Sequence, residues 1–184
     1  KYLKDETPSY TVTLKDGENI FDSVTVVGGD PYKLPIPTKH GYTFVGWFDA
    51  PENGIQFTDR NGVSLNIWDR EGGKTLYARW SLNYYTITYD CDEYVDLSGL
   101  PTYYTVEDDP FDLLMQIREH YDFCWQIDGE IVTTIDTSLA KDLTVQAVWT
   151  PKQYQISYDL DGGAADNPEY YDVVVDDFTL AVPT

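Results

Sequence analysis

Apolar and polar residues alternate in short segments along most of the chain. Such alternation places successive side chains on opposite faces of a strand. The first segment covers residues 11–14, and turn residues around Gly17 separate it from an apolar run at 24–27. Segments at 42–47 and 75–80 have the same character. The pattern therefore predicts a chain built mainly from β-strands.

One segment departs from this alternation and has the features of a short helix. Within residues 109–119, Asp109 is a suitable N-cap and Pro110 fits the first helical position. Apolar residues from Phe111 onward recur at near-helical spacing. We therefore predict a helix over 109–119. The corresponding segment at 34–38 contains two prolines, which exclude a regular helix there.

The same series of apolar and aromatic residues occurs more than once. A strand that opens with tyrosine recurs around Val12, Ile87 and Ile156, at spacings of 75 and 69 residues. Tryptophan closes each of the first two copies, at Trp80 and Trp149, which are again 69 residues apart. Repeated small units usually build length, surface or valency rather than one catalytic pocket. The repeat therefore favours a structural or binding role over an enzymatic one.

The first copy contains a recognisable motif. Gly-Tyr-Thr-Phe-Val-Gly-Trp occupies residues 41–47, and Leu-Tyr-Ala-Arg-Trp occupies residues 76–80. This combination resembles the Listeria–Bacteroides repeat, which is also called the InlB B-repeat. The second copy is degenerate, since Cys124 replaces the pair at 45–46 and one residue is lost. The third copy matches only through residues 158–163.

This resemblance implies an α+β, β-rich fold of tandem β-grasp-like (ubiquitin-like) modules in an elongated array. It also implies an extracellular place on a bacterial cell wall, and it supplies no catalytic residue. We expect residues 1–9 to be a linker or the end of a preceding unit. We expect complete repeats at 10–80 and 84–149 and a truncated third repeat at 154–184.

The truncated third repeat leads to further expectations. Strands are predicted around Ile156 and at 173–175, and they would leave unpaired edges and half a core. We expect this piece to dock on the second repeat, to associate with another chain, or to be poorly ordered. We also interpret the chain as a fragment of a longer protein, attached to the cell surface through parts outside this sequence.

The charge of the chain limits its partners. It has 12 Lys and Arg residues against 32 Asp and Glu residues, a formal net charge of −20. Binding to nucleic acid or to an anionic membrane needs clustered basic residues, so both are excluded as partners. No apolar run approaches the length of a membrane span. An acidic surface of this kind keeps a crowded extracellular array soluble.

Few residues suggest chemistry. Cys91 and Cys124 fall in the same repeat, and the sequence leaves a disulfide between them open. Two cysteines make a poor zinc site, and the acidic residues at 90–93 lack the spacing of a calcium loop. His40 and His120 have no nucleophile motif beside them. We therefore expect no catalytic residue, metal or cofactor.

The insertion at 49–73 is the best candidate for ligand contact. It carries Trp68, which has no counterpart in the second repeat, and Tyr32 or Tyr77 would assist it. Packing of Trp68 beneath its own loop is the other interpretation. The leading functional prediction is a non-catalytic stalk or spacer and adhesion module of a bacterial surface protein. The alternative is a module that binds a host or bacterial glycan or protein through 49–73 and Trp68.

Overall fold

A computed structural model describes residues 7–69, 71–182 and 184. Most of the linker predicted at 1–9 therefore lies outside the described residues. The chain divides into two compact units, Lys1–Tyr84 and Tyr85–Thr184. The described residues form strands and loops, with one short 3-10 helix at Thr137–Leu139. The prediction of a β-rich chain is confirmed.

The first unit contains one four-stranded sheet. Its strands are β1 (Ser9–Asp16), β2 (Asn19–Val27), β3 (Tyr42–Phe48) and β4 (Lys74–Leu82), in the spatial order β2-β1-β4-β3. β1 and β2 form an antiparallel hairpin, in which Gly17 adopts the positive φ that the turn requires. β4 pairs in parallel with β1 and antiparallel with β3. The two central strands are therefore the first and the last of the unit.

The second unit contains a five-stranded sheet and two small hairpin-like pairs. The sheet consists of β5 (Tyr85–Asp90), β6 (Tyr103–Tyr104), β8 (Tyr121–Ile127), β9 (Glu130–Val132) and β11 (Leu143–Pro151), in the order β6-β5-β11-β8-β9. β5 and β11 are parallel, as β1 and β4 are in the first unit. The small pairs are β7 (Phe111–Asp112) with β10 (Thr134–Ile135), and β12 (Tyr154–Gln155) with β13 (Tyr170–Tyr171).

The helix predicted over 109–119 is wrong. β7 occupies Phe111–Asp112, and the residues that follow are irregular. The backbone N–H of Leu113 donates to the carbonyl of Thr133 (2.7 Å), and the indole of Trp125 donates to the carbonyl of Leu114 (2.8 Å). Neighbouring segments therefore use the backbone groups that a helix would pair internally. Tertiary contacts override a weak local preference here.

The third copy begins with a strand near the predicted place, but its second predicted strand is wrong. β12 ends one residue before Ile156, whose N–H donates to the carbonyl of Glu169 (2.8 Å). Residues 173–175 form a turn, and β13 lies upstream of them. The hydroxyl of Tyr154 lies 3.0 Å from Nδ1 of His120, so the start of the third copy contacts the second.

Each unit has its own apolar core on one face of its sheet. In both, the parallel central strands supply aliphatic side chains, and the antiparallel neighbour of β4 or β11 supplies a tryptophan. The buried core of the first unit is Val12, Leu14, Val26, Leu34, Phe44, Trp47, Trp68 and Leu76. That of the second is Ile87, Tyr104, Leu113, Trp125, Ile135, Leu143 and Val145.

Candidate functional site

The tryptophans that recur in the sequence fix loops to the sheets. Trp47 is buried, and its Nε1–H donates to the carbonyl oxygen of Pro35 at 2.9 Å. Trp125 is buried at the corresponding place in β8 and donates to the carbonyl of Leu114 at 2.8 Å. Each bond ties the segment that precedes the strand to the core. We call these two interactions the indole–carbonyl bonds.

The closing tryptophans also have equivalent partners in the two units. Trp80 donates to Oδ1 of Asp16 at 2.9 Å, and Trp149 donates to Oδ1 of Asp92 at 3.2 Å. Each also contacts the phenylalanine opposite it, with ring centroids 5.5 and 4.5 Å apart. The charged acceptors strengthen these hydrogen bonds. All four recurring tryptophans therefore hold the sheets together.

Trp68 lies inside the insertion of the first unit and is only 2% exposed. Its ring contacts Tyr32 edge-on, with centroids 5.6 Å apart, and Phe57 at 5.7 Å. Its backbone N–H and C=O bond to Asp30 and Gly29, so the loop is closed over it. A ligand could not stack on this ring without displacing Tyr32 or Phe57.

Tyr32 lies on the wall of a shallow groove, whereas Tyr77 lies elsewhere. The Tyr32 hydroxyl donates to the carbonyl of Phe57 at 3.4 Å. Burial, and then the negative charge of Asp69, raise the pKa of Tyr32 to about 12. Tyr77 is half-buried in β4 between Lys15 and Phe48 and does not line the groove. The structure thus places Tyr32 beside Trp68 and leaves Tyr77 apart from the groove.

The groove of the first unit has a volume of about 430 Å³ and mixed walls. Ile55 and Ile67 are more than half exposed at its edges. Its lining is Tyr32, Ile55, Gln56, Phe57, Asn66, Ile67 and Asp69. Amide, carboxylate and phenol groups therefore line this groove together with apolar side chains.

The two cysteines are free thiols, and the sheet keeps them apart. Cys91 follows β5, Cys124 lies in β8, and β11 lies between those two strands. Two strand spacings amount to about 10 Å, beyond the roughly 7 Å limit for a disulfide. The structure does not bring together this pair, whose bonding the sequence left open.

Carboxylates in the loops mainly cap their own turns. Oδ1 of Asp59 accepts the N–H groups of Asn61 (2.8 Å) and Val63 (2.9 Å). The hydrogen bond from Val63 makes the largest contribution to lowering the pKa of Asp59, and the bond from Asn61 adds to it. Desolvation of the carboxylate acts in the opposite direction. The pKa of Asp96 is lowered in the same way by its bonds with Ser98. Among the residues that the structure describes, no group of three or more His, Cys, Asp or Glu is placed to hold a metal ion.

The two histidines lie at the surface. His120 has a positive φ of 67°, and its ring contacts Tyr154 edge-on, with centroids 5.8 Å apart. Its Nε2 lies 3.3 Å from Oε1 of Glu119. His40 is exposed before β3. Both histidines are therefore exposed side chains at the ends of loops.

The second unit has a groove that the sequence did not indicate. Its volume is about 590 Å³, and its walls are Leu100, Pro101, Tyr103, Tyr104, Phe111 and Leu114, with Asp108 and Asp112 among the other lining residues. The incorrect prediction of a helix over 109–119 is the reason, because the apolar face of such a helix would have been buried in the core. The signal in the sequence was the apolar run at 113–115, followed by Ile117, which is more than one buried face can use.

Comparisons with known proteins address the identity of the first unit. The family model of the Listeria-Bacteroides repeat domain matches residues 10–79. "Internalin H" of Listeria monocytogenes serovar 1/2a (strain ATCC BAA-679 / EGD-e) is 38% identical over 94 residues, which are 47% of this chain and 15% of that protein.

Two longer matches come from one other bacterium, Evansella cellulosilytica. A "Putative membrane protein" is 25% identical over 177 residues, and a "Putative Gly-rich membrane protein" is 24% identical over 176 residues. Each match covers 89% of this chain, but only 24% and 19% of the relative. The chain thus spans less than a quarter of the length of these relatives. In its described part, no helix has the length and apolarity to cross a membrane.

The motif residues and the family match agree on the same segment. Tyr42–Phe48 and Lys74–Leu82, which carry the motif, form the paired strands β3 and β4. Residues 10–79 therefore match the Listeria-Bacteroides repeat domain in both sequence motif and family model.

Proposed function

We propose that the chain is a non-catalytic repeat region of a bacterial surface protein, where it acts as a spacer and adhesion module. One observation carries this proposal: the aromatic residues that recur are used for packing in both units. The indole–carbonyl bonds of Trp47 and Trp125 and the carboxylate bonds of Trp80 and Trp149 are equivalent. A sequence that repeats packing residues specifies a repeated body rather than a repeated active site.

We further propose that both complete units are β-grasp-like modules in which a loop takes the place of the helix. In support, each has a parallel central pair made from its first and last long strands. Each also has an antiparallel hairpin partner beside the first strand. The segment in the helix position contains two prolines in the first unit and the irregular stretch after β7 in the second.

The chain leaves each complete repeat at a fixed point, which supports a spacer role. After β4, the N–H of Asn83 donates to the carbonyl of Gly41 at 3.0 Å. After β11, the N–H of Lys152 donates to the carbonyl of His120 at 2.8 Å. Each acceptor directly precedes the strand that pairs antiparallel with the last long strand of its repeat, β3 or β8. Short, anchored connections restrict the motion of a following unit more than free linkers do.

Small-angle X-ray scattering tests the spacer. We would compare the unaltered chain with a variant that carries a Gly-Ser linker after Asn83. A matched control carries the same linker after Gly72, in an exposed loop. A stiff spacer predicts that only the first insertion broadens the distribution of maximum dimensions. Equal breadth in the unaltered chain and in the Asn83 variant would overturn the proposal.

The place at the cell surface needs its own test. Antibodies raised against this chain should label intact cells of the source bacterium, and mild protease treatment should remove the signal. Labelling that appears only after the cells are broken would contradict a surface location. This experiment separates location from mechanical role, because a spacer inside the cell would still pass the scattering test.

The groove of the first unit favours glycan or protein binding as a second candidate function. Asn66 offers an amide group beside the exposed side chain of Ile67, and the amide nitrogen of Gln56 already donates to Val45 and Thr58. A glycan array probed with the intact chain and with an Asn66→Ala, Ile67→Ser variant tests it. Binding that this variant loses supports recognition through the insertion. If the variant still binds, or if the intact chain binds no glycan, recognition through the insertion is contradicted and only the spacer role remains proposed. Trp68→Ala is unsuitable because it would remove a core residue.

A further inference from the structure

The second unit presents an apolar surface around its groove. Tyr103 and Leu114 line the groove and are 61% and 51% exposed. Met115 and Ile117 follow on the same segment and are 63% and 96% exposed. Scattered apolar residues are normal at a surface, whereas a run of several large ones beside a cavity marks an interaction site. We call these four residues the apolar rim.

The segment that carries Leu114, Met115 and Ile117 of the apolar rim is fixed on both sides. Gln116 makes two bonds to one residue: its Oε1 accepts from the N–H of Asp96 (3.0 Å), and its Nε2 donates to the Asp96 carbonyl (3.2 Å). Beyond it, the Arg118 guanidinium lies over the rings of Tyr94 and Tyr121, at 3.9 and 4.1 Å. The apolar side chains are therefore held outward by their neighbours, and a partner would meet a preformed surface.

The inner end of the segment is fixed as well. Leu113 is buried in the core, and the next carbonyl accepts the indole–carbonyl bond of Trp125. Leu114 must therefore point to the side opposite Leu113, over the groove. The core itself sets the direction of the exposed side chains.

The second unit has a much larger net negative charge than the first. Residues 85–184 contain 3 Lys and Arg residues against 21 Asp and Glu residues, whereas residues 1–84 contain 9 against 11. Each of the three basic residues lies near an acid: Arg118 at 3.9 Å from Asp92, and two lysines at 3.5 Å from theirs. None of the three lines the groove. The second unit therefore carries a strong, mostly uncompensated negative field.

Two of these carboxylates, on Asp108 and Asp112, line the groove, where they can contact a ligand. Asp108 uses Oδ2 to accept from the N–H and hydroxyl of Thr105, at 2.7 and 2.9 Å. Asp112 uses Oδ1 to accept from the hydroxyl of Thr134, at 2.8 Å. These bonds fix both groups in place and use one oxygen of each. The second oxygen can accept from a cationic group.

We propose that the groove and the apolar rim bind a cationic, apolar polypeptide segment of another protein. Apolar side chains of that segment would fill the groove against Leu114 and Phe111, and its Lys or Arg side chains would lie toward Asp108 and Asp112. Charge selects this occupant. A second copy of the chain brings the same excess of acid, and an anionic membrane is repelled in the same way. Exposed Met115 and Ile117 follow Leu114 along the chain, and such a series of apolar residues fits a polypeptide better than a small cation.

Direct binding to the full chain tests this proposal with three synthetic peptides as probes. The first alternates Leu and Lys, the second alternates Leu and Glu, and the third alternates Ser and Lys. Fluorescence anisotropy should show binding of the Leu-Lys peptide at least about tenfold tighter than of either other peptide. Equal binding of Ser-Lys would show only general attraction to the acidic surface, and it would overturn the apolar part of the proposal.

Variants locate the site. Leu114→Ser with Met115→Ser should weaken binding of the Leu-Lys peptide about tenfold, and Asp112→Asn should weaken it about threefold and reduce its salt dependence. Asp112→Asn keeps an oxygen for Thr134, so the fold is spared. Ile20→Ser in the first unit, an exposed residue that lines neither groove, is the matched control and should leave binding of the Leu-Lys peptide unchanged. Unaltered affinity in the Leu114, Met115 variant would place binding elsewhere and overturn the proposal.

Sedimentation of the chain alone tests the rival occupant. We expect a monomer at low and moderate salt. Self-association that the Leu114, Met115 variant abolishes would assign the apolar rim to a second copy and contradict a cationic partner. Failure of peptide binding does not affect the spacer proposal, because scattering tests that independently.

Discussion

β3 of the first unit contains a β-bulge that β8 of the second unit lacks. In β3 the register shifts between Phe44 and Gly46, so one additional residue, Val45, is accommodated. β8 pairs with β11 without interruption, and Cys124 occupies the place of the pair. The aromatic residues nevertheless meet the same partners: Phe44 with Trp80 and Trp47 with Ala78, against Phe123 with Trp149 and Trp125 with Ala147. Losing the bulge residue thus deletes one position while keeping every core contact in register.

The different connections that follow these strands account for the bulge. In the first unit, Gln56 of the insertion donates to the carbonyl of Val45 (3.3 Å), and the Thr58 hydroxyl accepts the N–H of Trp47 (3.1 Å). The insertion therefore satisfies the backbone groups that the bulge turns outward. In the second unit, the shorter connection forms β9, which pairs regularly along β8. A long loop and a bulge occur together, and a short loop occurs with a straight strand.

The largest effect we predict comes from Gly46→Val. Gly46 has a φ of 152°, and a Cβ there would lie 2.3 Å from the carbonyl oxygen of Thr58. Backbone strain and this clash should lower the free energy of unfolding of the first unit by about 3 kcal/mol or more. Hydrogen exchange measured by mass spectrometry on the full chain would resolve the two units.

Cys124→Val is the matched control for that substitution. It changes the corresponding residue of the straight strand and should alter the stability of the second unit by less than about 1 kcal/mol. A first unit that tolerates Gly46→Val as well as the second tolerates Cys124→Val would show that the bulge and the insertion are independent.

The next largest effect should separate two tryptophans of the first unit. Trp47→Phe removes the donor to the Pro35 carbonyl, whereas the Nε1–H of Trp68 has no partner among the described residues. Both substitutions leave a cavity of similar size. Trp47→Phe should therefore cost about 1 kcal/mol more than Trp68→Phe in chemical denaturation. Trp125→Phe, which breaks the equivalent bond to Leu114, should resemble Trp47→Phe. Equal costs for all three would mean that the indole–carbonyl bonds add little.

Sequence patterns were sufficient for the four strands of the first unit because alternation reports directly which face is buried. β1 and β4 follow the alternation of Val12 with Leu14 and of Leu76 with Ala78, and their pairing is specified by that shared face. The repeated motif also identified the family. The loop bonds of Trp47 and Trp125 were not predictable, since their acceptors are backbone carbonyls of any residue type.

The failures came from segments whose apolar residues do not share one face. Leu113 is buried and its neighbour Leu114 is exposed. In the sequence alone, such adjacent apolar residues resemble part of the apolar face of a helix. The incorrect helix over 109–119 is also the reason that the groove in the second unit was not predicted. At 173–175 three consecutive valines suggested a strand, but the N–H groups of Val174 and Val175 bond to Oδ1 of Asp172 and close a turn.

Ionic strength should sharpen the contrast in charge between the units. Residues 85–184 have 21 acids and 3 bases, so their self-repulsion is much greater than that of residues 1–84. Raising NaCl from about 0.01 M to about 0.5 M screens this repulsion. We expect the second unit to gain roughly 1 kcal/mol more than the first, as measured by hydrogen exchange on the full chain. An equal gain in both units would indicate a general salt effect.

The smallest effect concerns high pH and the first unit. The pKa of Tyr32 is raised to about 12, chiefly by burial and further by Asp69, above the ordinary value of 10.0. The folded state therefore favours the protonated phenol, and its contribution to stability is complete below pH 10 and is lost as the pH rises toward 12. Difference absorbance between the unaltered chain and Tyr32→Phe should show phenolate forming only near the upper end of that range. Asp69→Asn should lower the pKa of Tyr32 only in part, since burial remains. A Tyr32 that titrates near pH 10 would mean that the insertion opens in solution, and the first unit would then lack the closed loop that distinguishes it from the second.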